Sequence, residues 1–521
     1  MSKPEDEKLR PLVPNAVLAE AITDPGERRR LGLAEGEDEP FWMIFELNLR
    51  HAEALEGATR AFFALHGEAL GDRPRPQEVT NSYYRSKLSV ADARRLVAED
   101  EKRPFERRCI YRVWPDFPLE ALVDRSTPTV KADAAQRAYH ATGHGITWAV
   151  IDSGIDAGHL HFTNGGGALE DERDCLGGPV AGLHRDFTIE MDLPPGVIDP
   201  GPDTAASALV DRFGHGSHVA GIIAGGLPKP LPARRRLLVG DHDAGSQSGS
   251  PGAEGRVVSR DVSDPARLSG VAPDCRLVSL KVLDDEGRGH SSNIMRALRY
   301  VREVVNGAGK LPNVHGVNLS VGYEFDAKWF ACGQSPMCVE VDRLVKSGVV
   351  VVVAAGNTGY GSQAASARAT TTGMVLTIND PGNAELAITV GATHRDMPHT
   401  YGVSYFSSKG PTGDGRMKPD LVAPGERITS VAAGVRLEAL CASLNLKLTK
   451  SVTGYIDDSG TSMAAPFVSG AIAAFLSIRR EFIGQPERVK RIFMETATPL
   501  GRAPTFEGKG LVDLMRAIGS V

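Results

Sequence analysis

Four polar residues stand where apolar runs end or begin, and their types could together carry out a nucleophilic displacement. Asp152 closes the run WAVID and is followed by Ser153 and Gly154. A carboxylate there can cap a turn or orient an imidazole. His215 and His218 lie three positions apart in DRFGHGSHVAG, where an apolar helical pattern begins. Zinc helices of the HExxH type place two histidines four apart with a glutamate as base. The shorter spacing and the missing glutamate argue against a metal here. A histidine at a helix start, between glycines that let other chain approach, suits a reachable general base. Asn357 ends VVVVVAAGN, and its carboxamide can cap the next element or offer an N–H to a developing oxyanion. Ser462, in DSGTSMAAP, precedes a long apolar helical pattern, so Ser462 or Thr461 is expected as N-cap. Pro466 is expected early enough in that helix to remove no internal hydrogen bond. The small neighbours Gly460, Ala464 and Ala465 also leave room around the Ser462 hydroxyl, and free N–H groups of the helix start would face an anion beside it. A hydroxyl becomes a good nucleophile once a base takes its proton; His215 could do so while Asp152 fixes the ring tautomer.

Such groups need rigid elements behind them. Short β-branched runs at Ile146–Ile151, Leu277–Leu283, Val317–Ser320, Val349–Ala354 and Leu386–Val390 alternate with helical patterns at about 216–225, 291–305, 338–347 and 463–479. Near-continuous apolar strands with helices between them predict an α/β fold whose mostly parallel sheet is covered on both faces. In such sheets chemistry gathers at the carboxyl ends of the strands. Two segments break the rhythm, 159–210 with NGGG and EDERD, and 226–268 with PKPLPARRR and DHDAGSQSGSPG; both are expected as surface insertions.

The N-terminal part has a different character. Residues 1–39 are rich in charged side chains and are expected to form a loosely attached arm. A strand at Phe41–Leu49, a helix at about 51–66, a helix begun by Ser89 with Asp92 in the capping-box position, and a strand at Cys109–Val113 describe a small α+β domain at 40–124. DRSTPTVKAD then has the polarity of a linker, set at 125–134, before a larger domain at 135–521.

The 521 residues carry a formal net charge of -6, with 41% apolar and 24% charged side chains, the composition of a globular protein with ample core. No basic stripe with interleaved aromatics suggests nucleic acid as a partner. No apolar run reaches the roughly 18 residues of a membrane span. The start MSKPEDEKLRPL lacks an apolar signal region, which favours a cytoplasmic location. Six scattered cysteines form no CxxC pair; a bridge between Cys332 and Cys338 and two ordinary thiols are both open.

In its motifs, DSGID at 152–156, GHGSHVAG at 214–221, AAGN at 354–357 and GTSMAAP at 460–466, the chain resembles the subtilisin-like serine protease family. GVAPDCRLVSLKVLDDEG at 270–287, NLSVG at 318–322 and KPDLVAPG at 418–425 support the likeness, which covers about residues 135–518. Ser217 and Ser153 stand where that family more often has threonine, and both keep a hydroxyl. The resemblance implies a subtilisin-like three-layer fold and a serine endopeptidase with Asp152 as orienting acid, His215 as base, Ser462 as nucleophile and Asn357 as oxyanion donor. It implies that His218 belongs to the helix carrying the base; with Asp152 as the acid, Asp211 is expected to be a local loop or site-support residue. It also implies that an extended polypeptide substrate docks along Leu319, Ser320, Val321 and Gly322, with Gly356 nearby. The pocket, formed partly by 319–323 and 354–357, is expected to take a large apolar residue, subject to Tyr323 and Glu324. Residues 40–124 match the family's propeptide in element order and position, which implies an intramolecular chaperone and inhibitor cut off near 117–135; a permanently attached accessory domain is the alternative. No cofactor is needed for the chemistry, and structural calcium is a family expectation, although neither EDERD nor DDEG has an ordered ligand spacing. The competing readings are a catalytically silent or permanently restrained scaffold of the same fold that binds polypeptides, and a metallopeptidase.

Overall fold

The computed structural model describes residues 17–18, 20–23, 25, 28, 36–71, 73–80, 82–115, 126–163, 174–189, 198–228, 231–232, 235–242, 257–259, 268–307, 309, 311–324, 331–365, 368–449 and 451–521. The chain divides into two units, Met1–Ala121 and Leu122–Val521. Most of the expected arm at 1–39, the start of the linker, much of the expected cleavage region and all of EDERD except Asp174 lie outside the described residues.

In the first unit β1 (Phe41–Leu47), β2 (Gln77–Thr80), β3 (Tyr83–Leu88) and β4 (Ile110–Pro115) form an antiparallel sheet in the order β2-β3-β1-β4. Helices α1 (Ala54–Leu70) and α2 (Val90–Glu101) cover it. The alternation of β1 sends Phe41, Met43, Phe45 and Leu47 into one core with Phe62 of α1 and Leu96 of α2. The Ser89 hydroxyl caps α2 by accepting from Asp92 N at 3.1 Å.

The second unit is built on a seven-stranded sheet. Its strands are β5 (Thr147–Asp152), β6 (Arg185–Asp186), β9 (Arg276–Lys281), β10 (Gly316–Leu319), β11 (Val350–Ala354), β14 (Ile388–His394) and β15 (Leu421–Glu426), in the order β15-β14-β11-β10-β5-β9-β6. Every pairing in it is parallel. Side chains alternate between two cores: Val350 and Val352 of β11 face one, Val351 and Val353 the other. Helices α3 (His215–Ile223) and α7 (Thr461–Ile478) contribute to the first core, α4 (Ser291–Tyr300) and α5 (Pro336–Lys346) to the second, and α6 (Gly434–Ser443) to a smaller core with Leu238 and Ile456. This is the three-layer arrangement of a subtilisin-like fold, with burial on both faces explaining the unbroken valine run. Helix α7 is long and apolar enough to cross a membrane, but 83% of it is buried inside the protein, so its apolarity serves the core.

The two expected insertions do more than loop over the surface. The first supplies β6 at the sheet edge and places Phe162, Cys175 and Phe187 in the cores. The second supplies β7 (Arg236–His242) and β8 (Val257–Ser259), which join β16 (Ile428–Ala432) and β17 (Val452–Asp458) in a second sheet ordered β16-β17-β7-β8. Spacing along the chain could not reveal this, because β7 pairs with a strand more than 200 residues away. A further hairpin, β12 (Tyr360–Ala365) with β13 (Arg368–Gly373), follows Asn357. Cys332 and Cys338 are both free thiols and are not bridged.

Candidate active site

Parallel register sets the site. Ile151, Leu319 and Val353 are neighbours across β5, β10 and β11. The residues that follow them, Asp152, Ser320 and Ala354, therefore emerge together at the carboxyl edge of the sheet. Asp152 is 1% exposed. Its Oδ1 accepts from His215 Nδ1 at 2.7 Å and from Ser153 N at 2.8 Å, while Oδ2 has no partner among the described residues. Gly216 makes this approach possible: a Cβ there would stand 2.2 Å from Gly154 O and 3.1 Å from the Asp152 Cβ. Gly214, at φ +85, turns the chain into α3.

Asp211 ties the same corner together. Its Oδ1 accepts from the Ser153 hydroxyl at 2.9 Å and from Gly214 N at 2.7 Å, and its Oδ2 accepts from Ser217 N at 2.7 Å. The Ser153 hydroxyl in turn accepts from Gly216 N, and that of Ser217 accepts from Asp156 N, each at 2.9 Å. These contacts give both hydroxyls a use as clamps on the entry to α3.

Burial acts to lower the pKa of His215, but the charge of Asp152 and its hydrogen bond outweigh it, so the net shift is upward. The ion pair of Arg436 with Asp458, at 2.6 Å, adds smaller effects of opposite sign. His218, one turn on, faces another environment. Its Nε2 meets Ile456 O at 3.0 Å, its Nδ1 has no partner among the described residues, and burial pushes its pKa down to about 4. The two rings thus do not converge on a shared ion, and among the described residues no three His, Cys, Asp or Glu side chains gather as a metal set. In DDEG the carboxylates are already occupied: Asp284 accepts from Glu286 N and Arg288 N, and Asp285 pairs with Lys281.

At the other wall Gly460, not Thr461 or Ser462, occupies the N-cap position of α7, and Ser462 is the second residue of the helix. The expectation about Pro466 is also corrected. Pro466 lies deep enough that an N–H there would have donated to Ser462 O, four residues back. The Ser320 hydroxyl donates to that carbonyl instead, at 2.9 Å, and is held by Asn318 Nδ2, whose Oδ1 accepts from Ser469 of α7 at 2.8 Å. The Ser462 hydroxyl donates to Ser320 O at 2.9 Å; a hydrogen bond from it to His215 is not formed in this arrangement.

Thr461 orients the asparagine. Asn357 Oδ1 accepts from Thr461 N at 2.9 Å and from the Thr461 hydroxyl at 3.1 Å, which reserves Nδ2 as the end available for donation. The cleft between the walls, about 380 Å³, is lined by His215, Ser320, Val321, Gly322, Gly356, Asn357 and Ser462. Leu319 differs: its side chain is fully buried in the second core. Sequence reasoning missed Phe213 and Gly287 on one rim and Thr358 and Asn379 on the other. Thr358 donates to Asn379 Oδ1 at 3.0 Å, and the Asn379 side chain lies where a Cβ on Gly356 would go, so a polar pair stands in a pocket expected to be apolar. No local pattern marks Asn379, which reaches the cleft because Asn379 N bonds to Ala355 O.

The chain is also similar to known proteins. A profile described as Subtilase family matches residues 143–511. Pyrolysin of Pyrococcus furiosus is 30% identical over 356 residues, 62% of this chain and 22% of that protein. Serine protease AprX of Bacillus subtilis is 29% identical over 417 residues, 78% of this chain and 74% of the relative. Subtilisin E of Bacillus subtilis is 26% identical over 376 residues, 72% of this chain and 66% of the relative. This chain thus spans less than a quarter of pyrolysin's length and about two thirds or more of the other two.

Proposed function

Because the chain belongs to the subtilase family, we propose that it is a serine endopeptidase with Ser462 as nucleophile, His215 as general base and Asp152 as the group that orients the imidazole. One observation carries this reading: the 2.7 Å bond from His215 to the buried Asp152 opens on a cleft that Ser462 and Asn357 also line.

On substrate binding the Ser462 hydroxyl passes its hydrogen bond from Ser320 O to His215 Nε2. The proton moves to that nitrogen as Oγ attacks the scissile carbonyl carbon. The carbonyl electrons move to oxygen, where Asn357 Nδ2–H and the Ser462 backbone N–H stabilise the charge. Asp152 stabilises the imidazolium. His215 then protonates the leaving amine, the C–N bond breaks, and the acyl group stays on Ser462. Water, deprotonated by His215, attacks the ester; the tetrahedral adduct collapses, the proton returns to Ser462 Oγ, and the carboxylic product leaves. Each proton has a protein carrier, so no cofactor enters the scheme. The backbone of Ser320–Gly322 pairs with an extended polypeptide as an added strand, which makes much of the affinity independent of side-chain identity. Residues 40–124 act as chaperone and inhibitor of the same chain until a cut near 117–135 releases them.

A fluorophosphonate probe tests the chemistry. Wild-type protein is expected to form an adduct on Ser462 and to cleave unfolded polypeptide, and Ser462→Ala to do neither. Fully processed protein that neither labels nor cleaves would sink the assignment. Mass spectrometry of the two proteins tests the N-terminal role, since a cut that persists in Ser462→Ala is not self-inflicted.

A further inference from the structure

Behind the Asn357 loop lies a lysine that the proposed reaction does not use. Lys409 is 4% exposed, and its Nζ donates to three backbone carbonyls, Gly359 O, Tyr405 O and Ser407 O, each at 2.9 Å. An ammonium has three donors and no acceptor, so these oxygens satisfy it completely. No carboxylate counters the charge among the described residues, and burial lowers its pKa. A buried charge without a counter-ion is costly, and here carbonyl dipoles and the face of Phe506, 5.4 Å away, offset the cost. Carbonyl oxygens converging on one univalent charge is also how backbone binds a bare alkali cation.

The cage sits where it can act on the site. Gly359 follows Asn357 by two residues, and its N–H donates to Phe406 O at 2.9 Å. Thr358 N donates to the Ser408 hydroxyl at 3.1 Å, and Ser408 N donates to Gly356 O at 2.9 Å. The residues on both sides of Asn357 are therefore tied to the segment 405–409, and the ammonium draws carbonyls of the two segments to one point. The fit is close: a Cβ on Gly359 would stand 1.9 Å from Ser407 O and 2.5 Å from Lys409 Nζ.

We propose that Lys409 is a positioning residue for the oxyanion donor, a tethered cation that stands in for a bound alkali ion and fixes the 356–359 loop with the Asn357 carboxamide toward the cleft. The positioning role rests on the function proposed above for Asn357; the cation cage does not. Lys409→Met and Lys409→Ala test it, with kcat and KM expressed per site titrated by fluorophosphonate. Small misplacements of a catalytic group cost up to about a hundredfold, so kcat is expected to fall about tenfold with KM changed less than about twofold. In Lys409→Ala, potassium or methylammonium chloride restores kcat and raises Tm, whereas choline chloride at equal ionic strength does neither. A purely structural role would lower the titratable fraction and leave kcat per titrated site unchanged, which overturns the positioning role. A Lys409→Ala protein that stays unfolded in potassium, or melts identically in potassium and choline, overturns the tethered cation. Wild-type protein that takes no probe overturns the protease reading instead and leaves the cage to be judged by the melting experiment.

Discussion

His215 and His218 sit one turn apart on α3, and both rings are pressed by burial toward the neutral form. The first meets the Asp152 carboxylate, and its pKa ends above the usual value; the second meets the Ile456 carbonyl, and its pKa falls to about 4. A carbonyl dipole can hold an N–H but gives little help to a full charge, whereas a carboxylate stabilises the imidazolium that general-base catalysis creates. The same residue type on the same helix is thus held against a carboxylate at one turn and packed as a neutral donor at the next. His159 and His161 extend the second environment: they bond to Gly454 O, to Tyr455 and to the end of α3, and burial lowers them to about 3 and about 4.

The largest test of this contrast is removal of each ring. His215→Ala is expected to cut kcat about a million-fold, the size of loss that removing the equivalent base causes in subtilisin. His218→Ala should leave kcat within about tenfold while lowering stability by roughly 2–4 kcal/mol, from the cavity and the Ile456 carbonyl left unpaired. Kinetics on titrated sites and urea melts separate the two, and equal chemical loss with both folds intact would break the contrast. Next in size is Asp152→Asn, expected to lower kcat about ten-thousand-fold, by analogy with the same change in other Ser-His-Asp triads. In the wild type kcat/KM should fall with acid through a pKa above histidine's ordinary value of about 6.5. Without the carboxylate the opposing burial remains, so the residual activity of Asp152→Asn should show that limb at lower pH.

The smallest effect is on stability. For His159, His161 and His218 the unfolded chain binds more protons than the fold between about pH 6.5 and the depressed folded values near 3–4. Stability should therefore drop as pH falls through that window. His215 contributes in the opposite sense: its help is fully present below about pH 6.5 and is lost as pH rises through its raised folded pKa. Urea midpoints at pH 7.5, 6 and 5 would follow the sum, and His161→Gln should flatten the acid slope. An unchanged slope would show that this buried group does not set the acid limit.

Much of the site was legible because local pattern and chemistry coincide. Strand periodicity ended at Asp152 and Asn357, and the helical pattern began at His215 and near Ser462, so the four candidate groups could be named. Their partners were not legible in the same way. Asp211 clamps Ser153 from 58 residues away, and Ser320 donates from 142 residues away to the Ser462 carbonyl that Pro466 leaves without its helix donor. Thr358 and Asn379 enter the cleft through contacts that no periodicity marks. The segments around β7 and β8 read as loops because their strands complete a sheet begun by chain that comes much later.

Side-chain chemistry and local propensity were enough to single out candidates for accepting a proton, attacking a carbonyl or donating to an oxyanion, each close to the end of a buried element. Which histidine meets a carboxylate was settled by folding, because in-register parallel strands bring Asp152, Ser320 and Ala354 to one edge and glycine at 216 lets α3 close on it. The pKa of an imidazole follows from what lies within a few ångströms, and for both rings of α3 those neighbours come from distant parts of the chain.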